Sequence, residues 1–288
     1  MRQSTRLPLP LPAEKPRVLV VGGHGYVGSA LVARMRAAWG VKWRNVVHPT
    51  ARWAVDDPDD PNHLGRLIRE STAVVNAAGW VGSVNSDSCE EEVAESFRDN
   101  LELPRRLSRE VAQWNPGIPV HHISTGCLYQ GAEGLAGEDD PLPPSERVYL
   151  THKRLAEEEV LSASPNNFVW RIRMPFDGRV HRNNLLCKLL RFPVFSPGRE
   201  SVTSLCDLGD ALVAAMALGI QGGIFNAANP EPASLREMAL CLKVDRPEGE
   251  TGLIRRRVTM DCKKLQNALG EHYPFRRTLD AVRGDTRC

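Results

Sequence analysis

The sequence predicts an α/β protein built on a doubly wound parallel sheet, with a small C-terminal substrate lobe. Short apolar runs alternate with helix-forming stretches from Val18 to Ile172, which is typical of a parallel sheet covered on both faces. A glycine-rich turn directly follows the first apolar run, and the regular alternation is lost after about residue 174. The 288 residues suffice for one large domain with such a lobe.

Each element follows from its own pattern. Short apolar runs bounded by turn residues predict strands, and longer amphipathic stretches predict helices. The predicted strands are 18–21, 41–47, 73–79, 120–124, 168–172 and 223–226. The first predicted helix contains Leu31, Val32 and Met35, and the others are 63–70, 90–100, 103–114, 148–161, 207–218, 235–242 and 261–269, with a glycine- and proline-rich loop at 131–144.

The glycine turn is Gly22-x-x-Gly25-x-x-Gly28, between a buried strand and an apolar helix. Gly22 allows the tight turn, Gly25 lets a pyrophosphate approach the backbone, and Gly28 lets the helix pack close to the sheet. The start of that helix, at Tyr26 and Val27, offers backbone N–H groups and a partial positive charge to phosphates. This layout predicts a Rossmann-type dinucleotide site, against the alternative of an ordinary strand–helix turn.

Residues after the next two strands refine the cofactor prediction. NAD-dependent proteins usually carry Asp or Glu after the second strand, where this chain has His48 and Arg52. A cation suits a 2′-phosphate, so NADP(H) is preferred over NAD(H) with Arg52 as its ligand, and a solvated loop charge is the alternative. The third strand ends in Asn76, Ala77 and Ala78, which leave room for the cofactor.

Composition excludes several other function classes. The net charge of +2 argues against a dedicated nucleic-acid binder. No apolar run approaches the ~20 residues that span a bilayer, and no signal peptide is visible. The seven cysteines lack a C-x-x-C pair, which predicts free thiols in a reducing cytoplasm. No metal site is predicted, because His121 and His122 cannot both face one way on a strand.

Tyr149 and Lys153 form a Tyr-x-x-x-Lys pair in a predicted helix. Side chains at i and i+4 share one helix face, and an ammonium beside a phenol lowers the pKa of that phenol. The tyrosine is therefore a candidate acid or base near neutral pH, and the lysine can donate to the nicotinamide ribose. Thr125, at a strand end, can hydrogen-bond a substrate carbonyl jointly with Tyr149, while Ser124 supports the strand end.

Together these residues resemble the extended short-chain dehydrogenase/reductase family. The resemblance rests on the glycine turn, residues 76–79, Asn100, residues 124–125 and the tyrosine–lysine pair, and it covers nearly the whole chain after residue 16. It implies NAD(P)H, a hydride-transfer step and, in most members, a nucleotide-sugar substrate. Within the family the chain resembles the dTDP-4-dehydrorhamnose reductases and, more closely, the plant-type UDP-4-keto-6-deoxyglucose 3,5-epimerase/4-reductases. Further stretches that carry this are 171–175, 184–188, 201–203 and 223–230.

The residues after Thr125 separate the activities of this family. Sugar-nucleotide 4,6-dehydratases typically carry Asp-Glu there, whereas this chain has Gly126 and Cys127, which argues against dehydration. In the epimerase/reductases a Cys at this place pairs with a lobe Lys, which Lys188 matches. The resemblance implies that Cys127 removes a proton beside a 4-keto group and Lys188 returns one on the opposite face, since an ammonium favours a thiolate. The alternatives are a small buried cysteine and a solvated lysine.

Further site residues are assigned from the same resemblance. Met174 is assigned to the cofactor, and Gly126 and Asn184 are assigned to the substrate. Asn184 is expected to start a lobe helix and to hold the diphosphate. Arg171 and Arg173 alternate along a strand, so that one of them is a candidate to point at the site, with salt bridging as the alternative.

The sequence thus predicts three regions and one reaction. Residues 1–16 form a mobile proline-rich leader, 17–173 joined by 201–230 form the NADP(H)-binding domain, and 174–200 with 231–288 form the substrate lobe. The expected reaction is NADPH-dependent reduction of the C4 ketone of a nucleotide-linked 4-keto-6-deoxyhexose, with 3- and/or 5-epimerisation left open. The alternatives are a nucleotide-sugar epimerase without net reduction and a catalytically silent NADP(H)-binding regulatory subunit. We expect a cytoplasmic protein with no nucleic-acid or membrane partner, and a homodimer is left open.

Overall fold

A computed structural model describes residues 16–39, 47–50, 62–249 and 257–285, so the predicted leader up to residue 15 lies outside the described ranges. The strands are β1 (Val18–Val21), β2 (Val47–Thr50), β3 (Ala73–Asn76), β4 (Val120–Thr125), β5 (Leu135–Ala136), β6 (Phe168–Ile172), β7 (Pro175–Phe176), β8 (Arg199–Glu200), β9 (Thr203–Ser204), β10 (Gly223–Asn226), β11 (Ala233–Ser234) and β12 (Thr259–Met260). The helices are α1 (Tyr26–Trp39), α2 (His63–Arg69), α3 (Val93–Phe97), α4 (Leu103–Trp114), α5 (Val148–Ala163), α6 (Leu185–Leu189), α7 (Leu205–Leu218), α8 (Leu235–Cys241), α9 (Lys263–Leu269) and α10 (Thr278–Asp285).

Six strands form one sheet in the order β10-β6-β4-β3-β1-β2, and each neighbouring pair is parallel. Successive residues of β1 face opposite sides: Val18 and Val20 join the core that contains α1 and α7, while Leu19 and Val21 join the core that contains α2 and α4. The doubly wound α/β fold is confirmed. Because β1 lies between β2 and β3, the strand order reverses at its carboxyl end, where open α/β sheets bind ligands.

The second strand extends beyond the prediction. The sequence predicts a strand over 41–47, and β2 covers Val47–Thr50, while the predicted part before residue 47 lies outside the described ranges. From the sequence, Pro49 is expected to lie in a loop after the second strand. However, β2 is the edge strand of the sheet, and a residue without an N–H is tolerated there because one side of an edge strand has no partner.

The helix predicted over 90–100 is interrupted. The carboxylate of Glu92, at the break, accepts a hydrogen bond from the indole N–H of Trp80 at 2.5 Å. A π-helical turn, Arg98–Glu102, then brings Asn100 against the backbone of Trp80, where its amide accepts from the N–H at 2.9 Å and donates to the carbonyl at 2.8 Å. The wider turn changes which residues face inward, which a regular helical pattern does not predict.

A separate apolar core lies among α6, α8 and α10. Its buried members are Phe176, Leu185, Leu186, Leu189, Phe195, Val202, Ala233, Met238, Ala239, Ala281 and Val282. All but Val202 come from the two segments that the sequence assigns to the substrate lobe, while the domain boundaries themselves stay a prediction. Within the described ranges, no helix combines the length and the apolar character that crossing a bilayer requires.

Candidate active site

The glycine turn packs directly against the end of β3. Gly22 has a φ of +77°, and a Cβ there would lie 2.6 Å from the backbone nitrogen of Ala78. A Cβ on Gly28 would lie 2.2 Å from the carbonyl oxygen of Gly22, so the first turn of α1 sits on the glycine turn. The N–H of Ala77 donates to the carbonyl of Val21 at 2.9 Å. These contacts explain why both positions require glycine.

The turn fits a dinucleotide pyrophosphate. His24 and Gly25 are exposed in front of α1, whereas Tyr26 is buried and Val27 is half-buried. A helix N-terminus carries a partial positive charge, and the exposed glycine lets a phosphate approach the backbone closely. Contacts of Gly25, Tyr26 and Val27 with a cofactor stay predictions that this shape supports.

Asn76 shapes the crevice from within. Its side-chain oxygen accepts the N–H of Ala78 at 3.2 Å, and its amide nitrogen lies 3.2 Å from Nδ1 of the buried His122. The side chain thus fixes the backbone that follows β3, and the cofactor contacts assigned to Ala77 and Ala78 stay predictions. Arg52, the predicted 2′-phosphate ligand, lies outside the described residues, so the preference for NADP(H) at this point rests on the sequence.

Tyr149 and Thr125 meet above the carboxyl end of β4. Tyr149 lies in the first turn of α5 and is 7% exposed, and its phenol lies near the Thr125 hydroxyl, which lowers the pKa of the phenol. That hydroxyl also accepts the N–H of Cys127 at 3.1 Å. The carboxylate of Glu90 accepts the N–H of Val148 at 3.1 Å and so fixes the start of α5. The two hydroxyls are therefore held by different elements and converge on one point.

The phenol of Tyr149 is set up as a proton donor. Burial raises the pKa of Tyr149 and the charge of Cys127 raises it further, while the hydrogen bond with Thr125 and the charge of Arg173 lower it. The prediction that Lys153 lowers the pKa of this phenol is wrong. The cation that acts on the phenol is Arg173, and desolvation of the phenolate outweighs its effect. Tyr149 is therefore protonated at neutral pH.

Lys153 lies one turn beyond Tyr149 and is 4% exposed. Its ammonium donates to the carbonyl of Ile123 at 3.0 Å, which holds it against β4. Burial lowers the pKa of Lys153 to about 8, and the charge of Glu157 opposes this effect. A Cβ on the exposed Gly79 would lie 4.0 Å from the ammonium, so Lys153 forms part of the floor of the crevice beside β3.

A buried polar network supports the site from below. Arg171 and Glu157 form an ion pair at 2.6 Å, and Ser124 donates to the same carboxylate. Arg171 also donates to the hydroxyl of Tyr129 at 2.6 Å, and that hydroxyl donates to Asn226 at 3.0 Å. Arg171 is thus held by an ion pair below the site, and Ser124 supports the strand end.

Arg173 is the arginine that reaches the site. Its Nη1 donates to the sulfur of Cys127 at 2.9 Å and its Nη2 to Glu200 at 3.1 Å. Within the described part of the chain, this guanidinium is the cation at hydrogen-bond distance from that sulfur. The proton-exchange roles of Cys127 and Lys188 stay predictions. Lys188 lies half-buried on α6, where burial and the charge of Arg182 lower its pKa.

Gly126 and Met174 have clear structural constraints. A Cβ on Gly126 would lie 2.4 Å from the sulfur of Met260, so β12 packs against the turn that carries Cys127. Met174, between β6 and β7, has a φ of +39°, which is the left-handed region that side chains other than glycine rarely adopt. The substrate and cofactor contacts assigned to these two residues stay predictions.

Asn184 caps the start of α6, as the sequence predicts for a helix start. Its side-chain oxygen accepts the N–H of Leu186 at 3.0 Å, and its amide donates to the carbonyls of Asp177 at 2.8 Å and Arg179 at 2.6 Å. The buried amide is therefore occupied by its own loop. A contact with the diphosphate stays a prediction, and it requires the amide to leave these partners.

The loop before α6 is tied to the dinucleotide half of the molecule. Arg179 donates to the carbonyl of Tyr26 and to the hydroxyl of Ser29, both at 2.7 Å, and to Asp177 at 2.6 Å. The ring of His181 stacks on Tyr26 with centroids 4.5 Å apart. Sequence reasoning missed these contacts, which join residues about 150 positions apart. We call this cluster the Arg179 clamp.

The two adjacent histidines of β4 are buried and neutral. His121 stacks on Phe168, and burial lowers the pKa of His121 to about 3. Burial and the charge of Lys153 lower the pKa of His122 well below its usual range. In the described ranges, no group of three or more His, Cys, Asp or Glu side chains is arranged to hold a metal ion.

The parallel sheet and the glycine turn define a dinucleotide-binding α/β fold, and Tyr149, Thr125 and Lys153 lie at the carboxyl edge of that sheet. The chain belongs to the NAD dependent epimerase/dehydratase family, which it matches over residues 18–177. It is 28% identical over 225 residues to a dTDP-4-dehydrorhamnose reductase of Mycobacterium tuberculosis, covering 74% of this chain and 70% of that protein. It is 26% identical over 172 residues to a bifunctional dTDP-4-dehydrorhamnose 3,5-epimerase/reductase of Arabidopsis thaliana, covering 57% of this chain and 56% of that protein.

The fold is also that of solved reductases. A dTDP-4-dehydrorhamnose reductase from Bacillus anthracis in complex with NADP superposes with a TM-score of 0.75 at 17% identity, covering 94% of this chain and 98% of that one. A UDP-rhamnose synthase from Acanthamoeba polyphaga mimivirus gives a TM-score of 0.76 at 18% identity, covering 95% and 99%. At these identities the likeness shows a shared fold.

Proposed function

We propose that this protein reduces the C4 ketone of a nucleotide-linked 4-keto-6-deoxyhexose with NADPH. The observation that carries the proposal is that the buried phenol of Tyr149 and the hydroxyl of Thr125 lie together at the carboxyl end of β4, in the same parallel sheet whose first strand leads into the glycine turn. The names of the relatives, which are reductases of such sugars, support the choice of substrate.

The chain's own residues supply binding and acid chemistry. The hydroxyls of Thr125 and Tyr149 hydrogen-bond the C4 carbonyl oxygen, and Tyr149 gives its proton to that oxygen as the C–O double bond is reduced. Its raised pKa keeps the phenol protonated until then. When bound, NADPH supplies the hydride. It would be held by the glycine turn at Gly22 and Gly25, by Ala77 and Ala78, and by Lys153 at the ribose.

A second activity at the same site is epimerisation at C3 and/or C5. The half-buried sulfur of Cys127 lies beside Thr125, in the place of a carbon base. Its thiolate would take the proton next to the ketone, and the C–H electron pair would pass to the C4 oxygen as an enolate. An ammonium at Lys188 would protonate the opposite face.

The test is incubation with dTDP- and UDP-linked 4-keto-6-deoxyglucose and NADPH in deuterated water. We expect NADPH oxidation equal to the amount of sugar reduced, with deuterium at C3 and/or C5 if epimerisation accompanies reduction. Epimerised sugar without net NADPH consumption would identify an epimerase instead. Tight NADPH binding without turnover on any of these sugars would favour a regulatory subunit and contradict the proposal. The cytoplasmic location and a homodimer also stay predictions.

A further inference from the structure

The guanidinium of Arg173 is built into position against the sulfur of Cys127. The backbone N–H of Arg173 donates to the hydroxyl of Thr203 at 3.0 Å, and that hydroxyl donates to the carbonyl of Ala227 at 2.7 Å. Arg173 is 8% exposed. Its guanidinium donates to the sulfur of Cys127 at 2.9 Å and to the carboxylate of Glu200 at 3.1 Å. Backbone and side chain are thus both fixed, so the contact with the sulfur follows from the fold.

Glu200 anchors the far side of this guanidinium. The same carboxylate oxygen that receives Arg173 also accepts the N–H of Val258 at 3.2 Å. Burial lowers the pKa of Arg173, but the charges of Cys127 and Glu200 raise it more, so the guanidinium stays protonated. A guanidinium only donates hydrogen bonds, so the sulfur it faces is the acceptor, and an anionic sulfur accepts such a bond best.

We propose that Arg173, anchored by Glu200, holds Cys127 as a thiolate and is thereby the positioning residue that enables this cysteine to take a proton from the sugar. The second half of this inference rests on the proposed function. In the step itself, Cys127 becomes a thiol, the C–H bonding pair moves into the enolate, and Arg173 keeps all its protons. Loss of the thiol proton to water restores the thiolate.

The same arrangement links the cysteine to the acid of the reduction. In the described part of the chain, the ionisable groups around the sulfur are Arg173 after β6, Tyr149 on α5, Cys89 in the same apolar cluster and, beyond the guanidinium, Glu200 on β8. A negative charge at Cys127 raises the pKa of Tyr149. A thiolate therefore keeps the phenol protonated, and both groups are in the forms that proton removal and carbonyl reduction require.

The experiment measures the alkylation of Cys127 by iodoacetamide in the full chain, without cofactor, from pH 5 to 10. Peptide mass spectrometry resolves each cysteine, and Cys241, half-buried in the lobe, is the internal reference. We expect wild-type Cys127 to react at pH 7 nearly as fast as at pH 9. Arg173→Gln should lower the alkylation rate of Cys127 at least 10-fold at pH 7, relative to that of Cys241. Above about pH 9 the Cys127 rates of the variant and the wild type should become equal.

Two variants guard against a purely structural effect. Arg173→Lys keeps the charge but cannot reach Cys127 and Glu200 at once, so its Cys127 should react at pH 7 at a rate between those of the wild type and Arg173→Gln. Arg34→Gln, which breaks a partly exposed ion pair with Asp210 on α1 and α7, should leave the profile unchanged. A natively folded Arg173→Gln with an unchanged profile would overturn the inference, as would a profile that Arg173→Lys and Arg173→Gln shift equally.

Deuterium incorporation separates this inference from the proposed function. In Arg173→Gln, deuterium incorporation at C3 and/or C5 of the sugar should fall at least 10-fold, and the rate of C4 reduction should fall by a smaller factor. A second outcome is a wild type that incorporates no deuterium although the alkylation profile of its Cys127 depends on Arg173. That result would refute the role in epimerisation and leave the effect of Arg173 on the Cys127 sulfur supported. If Arg173→Gln incorporates as much deuterium as the wild type, the positioning role of Arg173 is refuted, whereas the proposed epimerisation is still supported.

Discussion

Lys153 carries a positive charge in the interior, where its ammonium has the Ile123 carbonyl as a hydrogen-bond partner. Removing an ammonium from water without a close counter-ion destabilises the folded state, which is why its pKa falls to about 8 from 10.5. A residue kept at such a cost in stability is typical of a functional site rather than of a packing role.

Replacing Lys153 with methionine should therefore stabilise the protein at neutral pH. A difference of about 2.5 between the folded and unfolded pKa values corresponds to about 3 kcal/mol at most. The pKa of Lys153 is lower in the folded than in the unfolded chain, so the unfolded chain binds more protons between pH 8 and 10.5. The free energy of unfolding of the wild type therefore rises over that pH range, and its difference from that of Lys153→Met becomes smaller. Urea unfolding at pH 7 and 10 measures this.

The matched control is Lys263→Met, at an exposed position in α9, which should show no such pH-dependent gap. The prediction fails if the wild type is more stable than Lys153→Met at pH 7, or if the difference between their free energies of unfolding does not change with pH. Either result would show that the buried ammonium does not destabilise the folded state.

Tyr149→Phe removes the phenol proton and leaves the ring. We expect reduction of the keto-sugar to fall by roughly two orders of magnitude or more, with NADPH binding retained. Tyr129→Phe is the control, because that phenol bonds Arg171 and Asn226 below the site. It should lower the free energy of unfolding by about 1–3 kcal/mol and leave the rate per folded molecule within a few-fold. Equal rates for Tyr149→Phe and wild type would rule out this phenol as the donor.

At this scale the sequence predicts part of the site. Tyr149 and Thr125 were predictable because helix spacing and a strand end place them. The contact of Arg173 with Cys127 was not, because it joins two segments 46 residues apart whose approach no local pattern encodes. The sequence also pairs Tyr149 with Lys153 by spacing alone, and burial of both groups reversed the expected effect on the phenol.

Among the elements, the unit of β1, the glycine turn and α1 has the tightest geometry. Gly28→Ala would place a methyl group 2.2 Å from the carbonyl of Gly22, so α1 must move away from the turn. We expect a loss of about 2 kcal/mol or more in the free energy of unfolding and weaker NADPH binding. Gly117→Ala, where the nearest atom lies at 4.0 Å, should be close to neutral. Unfolding and fluorescence titration compare the two, and equal effects would show that close packing at Gly28 is not the constraint.

The sequence predicts the ends of several strands well. The bounds of β1, β6 and β10 agree because each is a short run closed by turn residues. The predicted second strand stops at Val47 because Pro49 suggests a loop, whereas β2 continues to Thr50. The break in the helix over 90–100 depends on the carboxylate of Glu92 reaching Trp80, a contact that no periodicity encodes.

For the molecule as a whole, the Arg179 clamp joins the lobe segment to the start of α1. Arg179→Gln removes donors to the Tyr26 carbonyl and the Ser29 hydroxyl. We expect faster hydrogen exchange at the first turn of α1 and a several-fold rise in KM for NADPH, with a smaller effect on kcat. Arg236→Gln, whose ion pair with Asp245 lies inside the lobe, is the control. Unchanged exchange in Arg179→Gln would show that the clamp does not hold the two parts together.

The apolar core beneath the lobe is closed by Ala281 and Val282 of α10, whereas the acid, the glycine turn and the arginine beside the thiol all precede residue 178. A nascent chain thus emerges from the ribosome with the glycine turn, Tyr149 and Arg173 before the helix that completes the lobe. Until synthesis reaches α10, Phe176 and Leu185 lack the neighbours that later cover them, so this is the stage at which a chaperone would be needed most.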